Sequence, residues 1–464
     1  MLKFILNHTE IITKLPEGTL LLDFIRYHEH MMGTKIGCRE GDCGACTILV
    51  GELVNDQLIY TSATSCLMPI GNAAGKHIVT IEGINVEGLN AMQQAFSDEG
   101  ATQCGFCTPG FIVSLAGFCI NADEPLYDNA IQAMNGNICR CTGYKSIERA
   151  AAVVNKMMQK RNGRDPILFA VENNMIPDYF LSVKEKLQAL KKHSLKNGLV
   201  SAPLKKLLGG GTDLYVQQHE TMVDEDIHFL FDHHSLNGIQ QNGNECGMGA
   251  SVTAADIARS PIFKNHFPEL QKYIKLISSA QIRNMATIAG NICNASPIGD
   301  FTIFFLALDA NLLLSNGTTT RMIPLRQFYK GYKIINKDPE EHVEKIIFQL
   351  PAGNCFFNFE KVSKRTHLDI ASVNTAIYLQ MNGEIIAEAG LSAGGVGPVP
   401  AYLTLSSQFL KGKKVTEQTI AHLLSIIQSE ISPISDARGT AEYKRLLLQQ
   451  LVKAHFIPLT PGGE

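Results

Sequence analysis

Short apolar runs between polar residues at 3–7 and 10–13 predict two short strands around a turn. Leu20, Phe24, Tyr27 and Met31 then recur at helical spacing and predict a helix. A glycine-rich segment at 37–44 precedes an apolar run at 47–50, which reads as a strand, as do 58–60 and 78–81. Residues 1–84 therefore form a small α+β unit. After Gly83 the pattern turns helical. Phe111, Leu115, Phe118 and Cys119 lie on one helical stripe, and Ile147, Ala151, Val154 and Met158 on another. Segments 89–99 and 126–134 also suit helices, so 85–160 reads as a compact helical bundle. Residues 161–177, polar and punctuated by Asn, Gly and Pro, read as a linker.

The remainder mixes strands and helices. Strands are predicted at 206–208, 228–231, 311–314, 345–350, 356–362, 373–380 and 384–391, and helices near 253–259, 416–430 and 438–454. This gives two further α+β segments, 178–352 and 353–464, and an α+β multidomain chain without internal repeats.

Charge narrows the function. Lys plus Arg number 41 and Asp plus Glu 44, so no general basic field is available for nucleic acid. No run of 18 apolar residues predicts a membrane-spanning helix. Residues 1–10 lack the long apolar core of a signal peptide, and a cytoplasmic chain is expected. Cysteine usage then decides most. In a reducing compartment the 12 cysteines are expected as metal ligands or reactive groups rather than disulfides.

Cys38, Cys43 and Cys46 have the spacing C-x4-C-x2-C, and Cys66 follows after a pair of strands. This is the ligand spacing of a plant-type [2Fe–2S] cluster, in which four thiolates converge on two irons from one short loop and one distant position. Gly37, Gly41 and Gly44 let the backbone curl without Cβ clashes, turning N–H groups toward sulfur. A zinc site or buried thiols are the alternatives, although this glycine-interleaved spacing is seldom a zinc pattern. Cys104 and Cys107 open one predicted helix, and Cys139 and Cys141 precede another. Two such pairs can meet across a bundle and bind a second [2Fe–2S] centre. Taken alone they also suit zinc; beside the first group they point to iron–sulfur.

In the motifs at 38–46 (CREGDCGAC), 104–110 (CGFCTPG) and 137–144 (NICRCTGY) the chain resembles the molybdenum hydroxylase family, which includes xanthine dehydrogenases, aldehyde oxidases and CO dehydrogenases. The resemblance covers the whole chain. Asp42 stands where the family more often has glycine, a departure that removes no ligand. The resemblance implies a ferredoxin-like β-grasp [2Fe–2S] domain at 1–84 and a four-helix-bundle [2Fe–2S] domain at 85–160. It further implies an α+β FAD-binding domain at 178–352 and a C-terminal α+β domain of the CO dehydrogenase flavoprotein type at 353–464.

Leu207, Leu208, Gly209, Gly210, Gly211, Thr212, Asp213 and Leu214 follow an apolar strand. Three successive glycines can form an N–H nest for a diphosphate, or a plain turn. Leu214 breaks the G-x-G-x-x-G pattern, so a Rossmann reading fails. Thr287, Ile288, Ala289, Gly290 and Asn291 interleave small and polar residues, which suits either a wrapped polar ligand or an irregular core crossing. The resemblance implies that both segments contact the diphosphate and ribityl chain of FAD, that Asp300 contacts the flavin nucleotide, and that Lys361 lies near the isoalloxazine. Ile277 falls where animal xanthine dehydrogenases carry a flavin-stacking aromatic. Residues 363–369 correspond to a loop near the flavin that governs nicotinamide access; they keep Lys364 and Arg365 but have Leu368 in a usually acidic stretch. A solvated loop is the alternative.

Other chemistry-bearing residues read as structure. Cys119 belongs to an apolar stripe, and Cys246, Cys293 and Cys355 show no ligand partners. His233 and His234 suit a surface turn, and Met157 and Met158 a helix face. No Cys–His or Ser–His–Asp arrangement stands out, so no catalytic residue is expected on this chain. The resemblance implies electron transfer from a molybdopterin cofactor in a large partner subunit, in a heterodimer or heterotetramer, since no segment after residue 464 is expected to hold it. Electrons would pass through the cluster of Cys104, Cys107, Cys139 and Cys141, then that of Cys38, Cys43, Cys46 and Cys66, then FAD, and leave as hydride to NAD+. The partner would oxidise hypoxanthine or xanthine to urate. An aldehyde- or heteroaryl-oxidising relative, and a stand-alone electron-transfer or metal-binding protein, are the other readings.

Overall fold

A computed structural model describes residues 1–121, 124–193, 206–365 and 368–459. The described residues fall into two compact units. The first takes them from 1–198, 210–229 and 279–285, and the second from 199–209, 230–278 and 286–464.

In the first unit the short apolar segments pair as expected. Leu2–Leu6 lies antiparallel to Thr9–Thr13 and parallel to His77–Val79. Thr47–Val54 pairs antiparallel with His77–Val79 and with Gln57–Thr64, completing a five-stranded sheet. The last hairpin has a chemical consequence. Thr47 faces Thr64 in its register, so the chain that leaves Cys46 returns at Cys66. The helix expected over 20–31 is a short turn, Leu21–Asp23, continued by a wide π turn, Phe24–His28, in which the Glu29 N–H bonds the Phe24 carbonyl.

The helical part forms around Thr108–Ile120, which follows Cys107 directly and is buried from Gly110 to Ile120. Ala91–Asp98 begins with a capping box between Asn90 and Gln93, and Lys145–Met158 lays Ile147, Ala151, Val154 and Met158 on the shared core. Cys119 is part of that core. Residues 161–177 are not a linker. Pro166–Glu172 is a helix capped by Asp165, and Phe169, Ala170, Met175 and Ile176 are buried in the same core. The residues that read as breakers are its punctuation: Pro166 opens the helix, and Asn162, Gly163 and Asn174 take left-handed conformations beside it. No helix among the described residues is long and apolar enough to cross a membrane.

The second unit contains an antiparallel sheet in the order Thr320–Pro324, Asn311–Ser315, His342–Gln349, Glu245–Gly249, Ile239–Asn242, and another in the order Cys355–Val362, Val373–Asn382, Ile385–Gly394, Ala401–Tyr402. The helix Asp300–Ala307 is apolar apart from Asp300 and Thr302 and is buried throughout from Phe301. Phe304 and Phe305 stack into an aromatic core with Phe263, Phe267, Phe348 and Phe357. Ser392 Oγ donates to the Ile303 carbonyl at 2.7 Å, tying this helix to the strand Ile385–Gly394. The short helices Pro261–His266, Leu270–Lys275 and Ile288–Cys293 were not expected, because so few residues carry no readable period; nor was Ala280–Arg283, which belongs to the first unit. Glu417–Glu430 and Ala441–Phe456 begin at Thr416 and Thr440 caps, close to the predicted limits.

His77 in the first unit and His455 in the second are fully buried and neutral. His77 Nε2 donates to the Asn7 carbonyl and Nδ1 accepts from the Tyr60 hydroxyl, both at 2.8 Å. His455 Nδ1 accepts from Asn358 Nδ2 at 3.0 Å and Nε2 donates to Thr375 Oγ1 at 3.4 Å, whose own proton goes to the Ser392 carbonyl. Burial pushes both down to about 3. In the unfolded chain each takes up a proton as pH falls below about 6.5, while the folded chain does not, so stability present above that pH is lost below it. We predict a loss of about 1.4 kcal/mol per pH unit per histidine between pH 6.5 and 4.5, measured by urea unfolding. His455→Gln should remove that part of the slope; equal slopes for both proteins would contradict it. At Gly390 an added Cβ would lie 2.1 Å from the Ala307 carbonyl oxygen. Gly390→Ala should cost about 1–3 kcal/mol, read as a lower thermal midpoint.

Candidate cofactor centres

The loop that carries the first cysteines reverses itself with left-handed residues: Arg39 at φ 56°, Gly41 at 79° and Gly44 at 68°. Only glycine fits at two of these places, because a Cβ at Gly44 would lie 2.3 Å from the Gly136 carbonyl oxygen and one at Gly41 2.7 Å from the Leu67 side chain. The reversal aims N–H groups at sulfur. Cys38 Sγ accepts from the N–H of Glu40 at 3.3 Å and of Cys43 at 3.4 Å, and Cys43 Sγ accepts from the Cys38 N–H at 3.4 Å. The four thiols face one another as two pairs, Cys38 with Cys43 and Cys46 with Cys66. Arg39 makes a bidentate pair with Asp23 at 2.6 and 3.1 Å. The hydrogen bond from Cys43 brings Cys38 down to about 5 against the cost of burial, with backbone N–H groups adding to it; Cys43 is pushed up in turn. Cys46 is lowered by the Cys66 thiol despite full burial, and Cys66 is raised.

The second group repeats this logic. Cys104 Sγ and Cys141 Sγ lie 3.6 Å apart, and the Cys107 thiol is hydrogen-bonded to that of Cys139. The N–H groups of Cys141 and Thr142 both donate to Cys139 Sγ at 3.4 Å, and the chain turns just after them through left-handed Gly143 and Tyr144. Burial raises Cys139, but the Thr142 hydroxyl and these N–H groups outweigh it and leave the thiol lowered. The Cys139 N–H is bonded by the Tyr144 hydroxyl at 3.1 Å. Cys107 is pushed up to about 12, mainly by burial. Among the described residues no group of three or more His, Cys, Asp or Glu side chains is placed around a single ion position. Two facing pairs are what a [2Fe–2S] cluster asks for, since each of its irons takes two thiolates, and N–H donors to sulfur fit its negative charge. Both sets can hold such a cluster.

The flavin-related residues are distributed. Leu208 is buried in the second unit, where Gly209 approaches Thr287 so closely that a Cβ would lie 2.7 Å from its hydroxyl. Leu207 is half-buried beside them. Gly210, Gly211, Thr212, Asp213 and Leu214 belong to the first unit, with Gly211 left-handed and Leu214 opening a short helix. Thr287 caps Ile288–Cys293 by accepting from the Gly290 N–H at 3.1 Å, so 287–291 is a helix start rather than a loop. Gly290 is exposed, whereas Ile288 and Ala289 are buried. Asn291 Oδ1 is engaged by the Thr302 N–H and hydroxyl at 3.1 and 3.2 Å. Ile277 is buried in the aliphatic and aromatic core.

Asp300 and Lys361 come together. Lys361 Nζ donates to Asp300 Oδ2 and to the Leu276 carbonyl, both at 2.7 Å, with the Lys361 side chain 1% exposed. Asn374 Nδ2 donates to Asp300 Oδ1 at 2.6 Å, and its own buried Oδ1 has no hydrogen-bond partner. Sequence reasoning missed Asn374, which sits in an ordinary alternating strand with nothing to mark it. An orphaned acceptor beside a buried charge pair fits a site that offers hydrogen bonds to a polar ligand such as a flavin nucleotide. In the 363–369 loop, Arg365 is tied to Asp369 and to the Leu368 carbonyl, and Leu368 is left-handed at φ 58°. We predict that Lys361→Met costs about 3–5 kcal/mol in urea unfolding, since it leaves the Asp300 carboxylate buried without its cation. An unchanged midpoint would contradict the ion pair.

Family models match along most of the chain: a 2Fe-2S iron-sulfur cluster binding domain at 4–71, a [2Fe-2S] binding domain at 80–152, a FAD binding domain in molybdopterin dehydrogenase at 181–351 and a CO dehydrogenase flavoprotein C-terminal domain at 359–458. Xanthine dehydrogenase of Emericella nidulans is 28% identical over 96% of this chain, and human aldehyde oxidase 27% over 96%. The chain spans 38% of the length of each. Carbon monoxide dehydrogenase from Hydrogenophaga pseudoflava, solved in a form lacking the Mo-pyranopterin moiety of its cofactor, is similar at TM-score 0.51 and 25% identity, over 54% of this chain and 87% of that one. Quinoline 2-oxidoreductase from Pseudomonas putida 86 shares the fold at TM-score 0.50 and 21% identity, over 54% of this chain and 88% of that one. Along its length the chain is thus similar to two [2Fe–2S] domains, a FAD-binding domain of the molybdopterin dehydrogenase type and a CO dehydrogenase flavoprotein C-terminal domain, in that order.

Proposed function

We propose that this chain is the small, iron–sulfur and FAD subunit of a bacterial xanthine dehydrogenase, active in the cytoplasm, and that it carries electrons from a molybdenum cofactor in a large partner subunit to NAD+. The observation behind this reading is the gathering of eight cysteines into two sets of facing thiol pairs, lined by N–H donors, on a chain that also has a FAD-binding domain. When bound, the clusters exchange single electrons and the flavin exchanges one electron or a hydride, which joins a one-electron chain to NAD+.

The chain's own residues supply the placement. Cys38, Cys43, Cys46 and Cys66 hold one cluster, and Cys104, Cys107, Cys139 and Cys141 the other. Cys104 and Cys141 are exposed whereas Cys46 and Cys66 are buried, which favours the second group as the side that receives electrons from the partner. The Ile138 N–H donates to the Cys43 carbonyl at 2.9 Å, so one hydrogen bond joins the two cysteine segments. A separate partner is supported by the carbon monoxide dehydrogenase chain, which is matched over 87% of its length. Within the second unit the flavin is held by 207–209 and 287–291, with Asp300, Lys361 and Asn374 as its polar contacts and Ile277 toward the ring. The similarity to aldehyde oxidase favours a second reading, in which the partner oxidises aldehydes or other heteroaromatics.

Purified anaerobically, the protein should hold about four irons per chain and show visible iron–sulfur and flavin bands that bleach with NADH. Zinc without iron ends the redox reading, and colour that NADH leaves unchanged removes NAD+ as acceptor. Cys43→Ser should lose about half the iron and keep the flavin; full iron with full turnover would reject that ligand. Turnover of the complex with hypoxanthine and xanthine, set against aldehydes, separates the two substrate readings.

A further inference from the structure

Between two of the flavin-related segments, residues 279–285 belong by their contacts to the first unit. The short helix Ala280–Arg283 carries Gln281, whose side chain is fully buried among residues flanking both cysteine groups. Its Nε2 lies 3.2 Å from Asn137 Oδ1, 3.3 Å from Ser114 Oγ and 3.4 Å from Thr47 Oγ1. Thr47 follows Cys46, Ser114 lies on the helix that follows Cys107, and Asn137 precedes Cys139. The Ala280 N–H adds a bond to Asn135 Oδ1 at 3.1 Å.

Donor accounting fixes the amide's orientation. The Thr47 hydroxyl donates to the Gly44 carbonyl at 2.6 Å, and the Ser114 hydroxyl to Asn137 Oδ1 at 2.7 Å. Asn137 Nδ2 donates to the Gly44 carbonyl at 3.0 Å and to Thr47 Oγ1 at 3.1 Å. All three atoms facing Gln281 therefore act as acceptors, and only its Nε2 can meet them. Its Oε1 has no hydrogen-bond partner and rests on Gly136, where an added Cβ would lie 1.8 Å from it. A long, uncharged donor is thus buried at the one place where the loop of the first group, the segment of the second and the helix between them converge.

We propose that Gln281 is a positioning residue that sets the separation and orientation of the two cysteine centres, by holding the Gly44–Thr47 stretch against Ser114 and Asn137. This rests on the reading that both groups hold [2Fe–2S] clusters. Thr47, Ser114 and Asn137 keep their bonds to one another and to Gly44 when Gln281 is replaced, so Gln281→Met leaves each of them partnered and the protein folded. Gln281→Glu instead sets an acceptor-only carboxylate against three acceptors.

The test uses the full chain with its iron and flavin. Iron content, thermal midpoint and the low-temperature electron paramagnetic resonance spectrum of the fully reduced protein are measured for wild type, Gln281→Met and Gln281→Glu. The mutual splitting of the two reduced signals depends on the inverse cube of their separation, and a merely structural residue would not move it. The expected result is wild-type iron in Gln281→Met with a shifted splitting, and a larger shift in Gln281→Glu. Gly136→Ala, which drives Gln281 Oε1 from its seat, should reproduce the Gln281→Met shift and serves as the readout if Gln281→Glu does not fold. Unchanged splitting in both Gln281→Met and Gly136→Ala overturns the proposal, as does loss of either cluster from Gln281→Met. Wild-type protein without iron overturns the cluster reading and this proposal together, whereas wild type with both clusters and variants that match it sinks only this one.

Discussion

Thiols brought together out of water repel one another as they ionise and must be held by donors. The loop at 38–46 meets this need with backbone. Left-handed residues turn successive N–H groups inward, and the hydrogen bonds they make to Cys38 and Cys43 define the shape of the loop. The rest of the first unit follows from keeping that loop closed. The hairpin register returns Cys66 beneath Cys46. The Gly44 carbonyl, turned outward by the same reversal, is capped by Thr47 and Asn137. The second group, at 139–144, likewise sets the backbone N–H groups of Cys141 and Thr142 on Cys139 Sγ.

The second unit is governed by a different cost. Lys361 and Asp300 are charges within an aromatic and aliphatic core, and each survives burial only because the other, with the Leu276 carbonyl and Asn374, satisfies it. Asp300 sits at the first residue of a mostly apolar helix, and the burial of Phe301 to Ala307 fixes where its carboxylate stands. The core that anchors the helix therefore also positions the polar group, so packing and polar placement cannot be separated there.

Much of this was legible beforehand. Spacing alone grouped Cys38, Cys43 and Cys46, because ligands within one short loop need no distant chain to bring them together. The strands at 47–50 and 373–380 and the helices near 416–430 and 438–454 were readable because each is long enough, or alternates cleanly enough, to show its period. Residues 161–177 misled because Asn162, Gly163, Pro166 and Asn174 look alike in a linker and at the ends of a short helix; the difference is Phe169 and Ile176, whose burial depends on a core formed elsewhere. The 287–291 segment, read as a ligand wrap or a core crossing, begins a helix, with Thr287 and the Gly290 N–H forming its cap.

The sequence by itself determined the cysteine sets, the order of the domains and the α+β character, since these rest on local spacing and on periods that any fold must bury. Tertiary structure alone decided which thiol faces which, that Asp300 meets Lys361 and Asn374, and that Gln281 stands among Thr47, Ser114 and Asn137. These partners lie tens to hundreds of residues apart, and none is marked by its neighbours in the chain. Their meeting follows from the need to satisfy every buried donor and charge at once, a condition that exists only after the core has closed around them.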